Sequence, residues 1–239
     1  MSLMLHAGAQ PVDFDALRLI ETPKATSTHV PLPHHQLVDM VRYSLGYYEH
    51  EIVDETYGVT PDGSRFFGVM KLKSTYGDYT DVLGLRNSHD KSFPIALAHG
   101  SAVFVCDNLA FNGETVVKRR HTANMKRDLP GIVAGIIEPL RDQRLRQAAQ
   151  FNQYHERPLE LDEFDHLVME LYRRGTLNVT RIADVVDAYQ NPPFDWGADP
   201  TAWRAFNAVT YALRGKVAEA PQLTQTLHEV LDGICTPVS

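Results

Sequence analysis

The period of the hydrophobic positions changes along the chain, and the changes mark out its elements. From His34 onward, Leu37, Met40-Val41, Tyr43-Ser44-Leu45 and Tyr48 recur every three or four residues. That spacing predicts a helix that starts just after Pro33 and buries this side. Residues 52–59 and 65–73 are rich in β-branched and aromatic types, and Thr60-Pro61-Asp62-Gly63 between them is turn chemistry. Together they predict a hairpin. Residues 80–86, 93–99 and 101–106 repeat that grammar, with polar punctuation at Asn87-Ser88-His89-Asp90-Lys91-Ser92 and at Gly100. The expectation is an antiparallel sheet of about five strands.

Past Asn112-Gly113 the strand signal ends. Leu129, Ile132-Val133, Ile136-Ile137, Leu140 and Leu145 step at helical spacing toward Gln153, with Pro139 as a kink. Further helices are predicted over 163–174, capped by Asp162 and closed by Gly175, and over 181–189, capped by Thr180. Another carries Trp203, Phe206, Val209-Thr210, Leu213 and Val217, and the last spans 223–234. Strands come first and helices second, without βαβ alternation, so the fold class is α+β. We expect an extended N-terminal arm over 1–33, a sheet core with its long helix over 34–157, and a helical region over 158–239 packed on that core in the same domain. The arm is rich in threonine and proline yet carries Phe14, Leu17, Leu19 and Ile20. These need burial, either on a neighbouring subunit, which would make a homo-oligomer, or along an edge of the chain's own sheet.

Composition narrows the classes. With 239 residues, 44% hydrophobic and 22% charged, the chain is neither disordered nor fibrous. Its longest apolar runs, such as Ala102 to Cys106, fall far short of the roughly 18–20 residues that span a bilayer. Met1 to Gln10 lack the basic and apolar regions of a secretory signal, so a cytoplasmic protein is expected. Cys106 and Cys235 lie far apart, which argues against a disulfide framework or a cysteine zinc site and for reduced, buried thiols. Phosphate-cradling, dinucleotide, nucleophile-elbow and zincin motifs are missing, so no cofactor is expected and the balance favours a protein that is not an enzyme. His50-Glu51 with Asp54 imitates only half of a metalloprotease motif.

The net charge is −7, so any nucleic-acid contact must be a local patch. Lys118-Arg119-Arg120-His121, then Lys126-Arg127, then Arg141, Arg144 and Arg146 form such a concentration. These cations could neutralise phosphates, with Arg86, Asn87, Asn108, Asn112 and Asn124 nearby and Tyr76, Tyr79, Phe93 and Phe111 as stacking faces. Alternatively they solvate a helix and pair with Asp128, Glu138 and Asp142. His89, Asp90, His99 and His121 could hold a metal if they converge, while an Asx-type turn explains Asn87 to Asp90 without one. Residues 163–189 could be a helix-turn-helix, although Asp184 and Asp187 would repel DNA and an αα-hairpin fits better.

Leu83-Gly84-Leu85-Arg86-Asn87-Ser88-His89-Asp90-Lys91-Ser92, then Ala102-Val103-Phe104-Val105-Cys106-Asp107-Asn108, then Arg120-His121-Thr122 resemble the core of the phage- and plasmid-like proteins grouped as domain of unknown function 932. Thr22-Pro23, Val30-Pro31-Leu32-Pro33-His34 and Trp203-Arg204-Ala205-Phe206-Asn207-Ala208-Val209-Thr210 fit the same pattern, so the resemblance covers nearly the whole chain. It implies a cytosolic protein of a mobile element and transfers no activity and no catalytic residues. The layout is also similar to that of phage single-strand annealing proteins, an analogy of fold alone.

The leading expectation is a non-enzymatic, homo-oligomeric binder of single-stranded nucleic acid, contacting it through Arg86, Asn87, Lys118, Arg119, Arg120, His121, Lys126 and Arg127. The alternatives are a metal-dependent hydrolase built on His89, Asp90, His99 and His121, or an interaction protein that binds a host factor.

Overall fold

A computed structural model describes residues 8–73, 79–103, 109–111, 117–122, 124–213 and 222–236. Strand β1 (Gln10–Val12) and helix α1 (Phe14–Leu19) precede α2 (His34–Tyr47). Strands β2 (Ile52–Val59), β3 (Arg65–Leu72), β4 (Tyr79–Ser88), β5 (Ile95–Val103), β6 (Leu109–Phe111) and β7 (Val117–Arg119) follow. The helical half comprises α3 (Met125–Ile137), α4 (Leu140–Glu156), α5 (Leu161–Arg173), α6 (Val179–Gln190), α7 (Ala202–Leu213) and α8 (Gln222–Cys235). The chain is α+β, with an antiparallel sheet ordered β1-β2-β3-β4-β5-β6 and β7 pairing with β5 beside β6.

Period-two alternation decides which helices cover which face of the sheet. Phe66, Met70, Leu83, Leu85, Ile95 and Leu97 point into one core with Leu37, Val41 and Leu45 of α2 and Leu129, Val133 and Ile137 of α3. Val82, Ala98 and Ala102 point the other way, into a core built on Phe151, Tyr154, Phe164, Trp203, Phe206 and Leu227 from the remaining helices. Phe151 sits at its centre, its ring 4.7 Å from Tyr79, 5.1 Å from Trp203 and 5.2 Å from Phe206.

Several boundaries differ from the sequence pattern for local reasons. Strands expected over 93–99 and 101–106 are one strand running through Gly100, whose Val82 partner keeps the ladder continuous. Residues 104–108 lie outside the described residues, Cys106 among them. The long helix breaks at Pro139 into α3 and α4, since proline has no N–H for the i−4 carbonyl. Capping sits two residues earlier than predicted in both following helices. Glu160 and Glu163 close a reciprocal box on α5, and the Asn178 side chain accepts from Arg181 N on α6. The 60–63 turn is as predicted, with Gly63 at φ 69°.

Residues 8–33 lie on their own chain. β1 pairs with the outer edge of β2, and Leu17 and Leu32 are fully buried in the α2/α3 core. Leu19 alone of the expected apolar set stays largely exposed.

Two substitutions on α4 separate core from surface. Phe151→Ala should cost about 3–5 kcal/mol in urea unfolding, because it empties the centre of an aromatic cluster. Leu145→Ala, at a side chain 63% exposed, should stay within about 0.5 kcal/mol of the parent.

Candidate functional site

Four imidazoles from three stretches of the chain meet where α2 begins: His29 and His34, His89, and His121, all buried. His34 and His89 stack at 3.9 Å with their planes 5° apart, and His29 lies 5.0 Å from His121. The Leu32 carbonyl accepts from Asn87 Nδ2 at 2.8 Å and from His89 Nε2 at 2.9 Å. Asn87 Nδ2 also lies 2.9 Å from His34 Nδ1, and His34 Nε2 lies 3.0 Å from the Gly63 carbonyl. The amide can only donate, so His34 accepts at Nδ1 and carries its proton on Nε2, toward Gly63. A second proton, on Nδ1, would face the Asn87 amide hydrogens.

Electrostatics agrees with this neutral arrangement. Burial, reinforced by the neighbouring His89, lowers His34 to about 3. Burial, with His29 beside it, lowers His121 to about 4, and burial lowers His89 as well. Burial alone would raise the Asp90 carboxyl, yet hydrogen bonds from Ser92 and Arg65 hold it at about 2.

The basic run adjoins this cluster at His121. Lys118 and Arg119 stand on β7 opposite Ala96 and Ile95. The chain then leaves the sheet with Arg120 exposed and His121 buried, and the His121 carbonyl accepts from Val30 N at 3.1 Å. Lys126 and Arg127 are exposed on the first turn of α3. Arg127 pairs with Asp128 at 3.0 Å, whereas Arg120 and Lys126 have no ion pair among the described residues. Arg144, expected within the positive surface, is instead turned inward. Its Nε donates to the fully buried Asp81 at 2.6 Å and ties α4 to the sheet.

Other candidates fall elsewhere. Asn87 is fully buried and spends its amide on Leu32 and His34, and His121 is buried too, so neither is presented at the surface as a contact for a strand. Arg86 is half-buried, with its guanidinium 5.1 Å from the centre of the Phe93 ring. Tyr79 is buried against Phe151 and offers no face to a base. Tyr76, Asn108 and Asn112 lie outside the described residues.

The metal reading is overturned by position. His99 Nε2 lies 3.5 Å from Asp81 Oδ1 in a different part of the sheet face, and Asp90 is engaged by Arg65 and Ser92. His89, Asp90 and His121 lie in one neighbourhood without converging, and among the described residues no three His, Cys, Asp or Glu side chains are arranged to hold a metal ion. Helices α5 and α6 form an antiparallel αα-hairpin, with Phe164 at the head of one stacked 3.7 Å from Tyr189 at the tail of the other. Cys235 is a free thiol pushed up to about 11 by burial, so it holds no reactive thiolate.

A family model described as Domain of unknown function (DUF932) matches residues 25–230. The chain belongs to that family. No curated protein and no solved structure matches it. The DUF932 span takes in all four histidines, the cations from Lys118 to Arg127, and both helices of the α2/α3 layer. No helix among its described residues is long and apolar enough to cross a membrane.

The imidazole cluster predicts an acid limb in stability. Unfolded imidazoles titrate near 6.5. Folded His121 and His34 stay neutral down to about 4 and about 3. The unfolded chain therefore binds more protons below about pH 6.5, so stability is complete above that value and is lost as pH falls toward 4. Buried His228, lowered to about 4 in the other core, acts in the same direction. The urea midpoint should drop between pH 7 and pH 4.5, and His34→Gln should make that drop shallower. A midpoint that is flat over this range would contradict the neutral cluster.

Proposed function

We propose that this DUF932 protein binds single-stranded nucleic acid without catalysis, through the junction between β7 and α3. The observation that carries the reading is the pair Arg120 and Lys126, exposed beside Arg127 with no carboxylate partner among the described residues, on a chain whose net charge is −7. On an acidic protein, cations left unpaired in one place favour a polyanion over a neutral ligand. They flank the amino end of α3, whose backbone N–H groups add positive potential for phosphate. Lys118, Arg119 and Arg86 are further candidate contacts on the adjoining strands. The phage or plasmid setting implied by the sequence resemblance supports a role in nucleic-acid handling.

Fluorescence anisotropy with a labelled single-stranded 12-mer at about 50 mM salt tests the reading, because phosphate contacts are strongest at low ionic strength. Arg120→Ala/Lys126→Ala should weaken binding and reduce the slope of log K against log salt by about 1.4, roughly 0.7 for each phosphate no longer neutralised. Absence of binding, or equal affinity and slope in the double variant, would overturn it.

A further inference from the structure

The N-terminal segment is anchored at two separate places. The first is a strand followed by a short helix. β1 pairs with the outer edge of β2, Gln10 opposite Val59 and Val12 opposite Tyr57. Asp13 then caps α1 by accepting from Ala16 N at 2.7 Å. Leu17 is fully buried in the core that α2 and β2 share. The Arg42 guanidinium carbon lies 4.1 Å from the centre of the Phe14 ring, and Arg42 is itself held by Glu55 at 2.9 Å. The second anchor is the histidine junction, where Val30 N donates to the His121 carbonyl and the Leu32 carbonyl receives Asn87 and His89.

Between the anchors runs a linker. Of residues 21–28 all but Thr22 are exposed. Their hydrogen bonds among the described residues are those of one turn, in which Thr26 N donates to the His29 carbonyl at 2.8 Å and His29 N to Thr26 Oγ1 at 3.1 Å. Eight extended residues reach about 26 Å at roughly 3.3 Å each. Yet both ends return to one turn of the chain: Ile20 packs on Gly63, and His29 Nε2 lies 3.3 Å from the carbonyl of His89, whose N–H donates to Ser64 at 2.7 Å. The linker therefore has slack, and the first anchor can open while the second stays closed. The DUF932 match begins at residue 25, inside this linker. β1 and α1 lie outside the matched span, whereas the surface that they cover lies within it.

We infer that the outer edge of β2 with the adjoining face of α2 is a docking surface for a strand-then-helix segment, filled in a lone chain by its own residues 10–20 and open to the same segment of a second copy. The ligand is defined by what is seated there: a short strand that extends the sheet, an aspartate cap, an aromatic ring for Arg42, and Leu17 for the core. A second copy carries all of these and makes the same contacts, because only the path of the linker differs between the two arrangements. Tethering holds a chain's own segment at an effective concentration on the order of 1 mM, so a dilute chain fills its own surface and exchange sets in as concentration nears that value.

Hydrogen exchange on the full chain reads whether the segment opens by itself. In the parent, the amides of residues 12–20 should exchange through local opening, at a rate unchanged by urea below the unfolding transition, while residues 66–72 exchange only with global unfolding. In Leu17→Glu the segment should lose its protection and residues 66–72 should keep theirs. A labelled peptide of residues 8–24 then reads docking in trans. It should bind the Leu17→Glu chain, whose own segment is expelled, at least about tenfold more tightly than it binds the parent, and the peptide bearing Leu17→Glu should not bind. Small-angle scattering of the parent should show a dimer fraction that grows toward about 1 mM and is missing from the Leu17→Glu chain. Residues 12–20 that exchange only with global unfolding, or a Leu17→Glu chain that unfolds as a whole, make the segment an integral part of the core and overturn the inference. A peptide that fails to bind the Leu17→Glu chain overturns the docking surface. A parent that stays monomeric at about 1 mM overturns the second copy as its occupant.

Discussion

One carbonyl holds the site together. Leu32 lies between two prolines, and Pro33 has no N–H to offer, so this stretch of backbone is held mainly by what its acceptor receives. It receives two bonds, one from Asn87 on β4 and one from His89 just past the end of that strand, and both donors also pack against His34. The end of β4 thereby sets where α2 starts and in which rotation. That rotation directs Leu37, Val41 and Leu45 into the core and leaves Tyr43 and Tyr47 outside. The same cluster takes in His121, which turns the chain so that Arg120 points outward and α3 begins four residues later. The exposure of Tyr43, Tyr47 and Arg120 is consistent with this junction.

The fold was legible where one period ran for a full element. Residues 34–48, 52–59 and 65–73 carry clean three-four or alternating patterns, and α2, β2 and β3 are found there. Three-residue strands carry too little pattern to be seen. β1 contains Pro11, which fits an edge strand, but its pairing with β2 is a long-range event. Gly100 looked like punctuation because glycine usually breaks strands, yet a glycine paired on a central strand is tolerated when its neighbours supply the ladder. Capping was displaced by two residues because Glu160 and Asn178 competed with Asp162 and Thr180, all of them competent acceptors.

The site was legible in part. A run of cations is visible in any sequence, and Lys126 and Arg127 do emerge at the surface with Arg120. What charge counting misses is which member is spent inside: Arg144 belongs by composition with Arg141 and Arg146 but is bonded to buried Asp81. Two of the four histidines were candidates, His89 and His121, but they were grouped with His99, which is remote from them. Their true neighbours, His29 and His34, lie 60 and 55 residues upstream of His89, and no local period links them. Tyr43 was misassigned for a subtler reason. It was grouped with Leu37 and Leu45, yet six and two residues at about 100° each set it roughly 120° and 160° round the helix from them, on the stripe of Met40 and Tyr47.

Neutral imidazoles and exposed cations at one junction support each other. Had His121 been charged, it would have placed a positive group beside Arg120 and within the field of His29 and His34, and burial would have been lost. Kept neutral by desolvation, His34, His89 and His121 pack with the His29 ring as flat aromatic bodies that also accept or donate hydrogen bonds. No other residue type combines both properties at this size. The positive potential is left to side chains that never need to lose their charge, Arg120, Lys126 and Arg127. The division is between buried rings that stay uncharged in the folded chain and exposed cations that stay charged, as the proposed binding of a phosphate backbone requires. Within residues 120–127 a neutral buried ring and charged exposed side chains thus coexist at the same pH, which is what the proposed function asks of this segment.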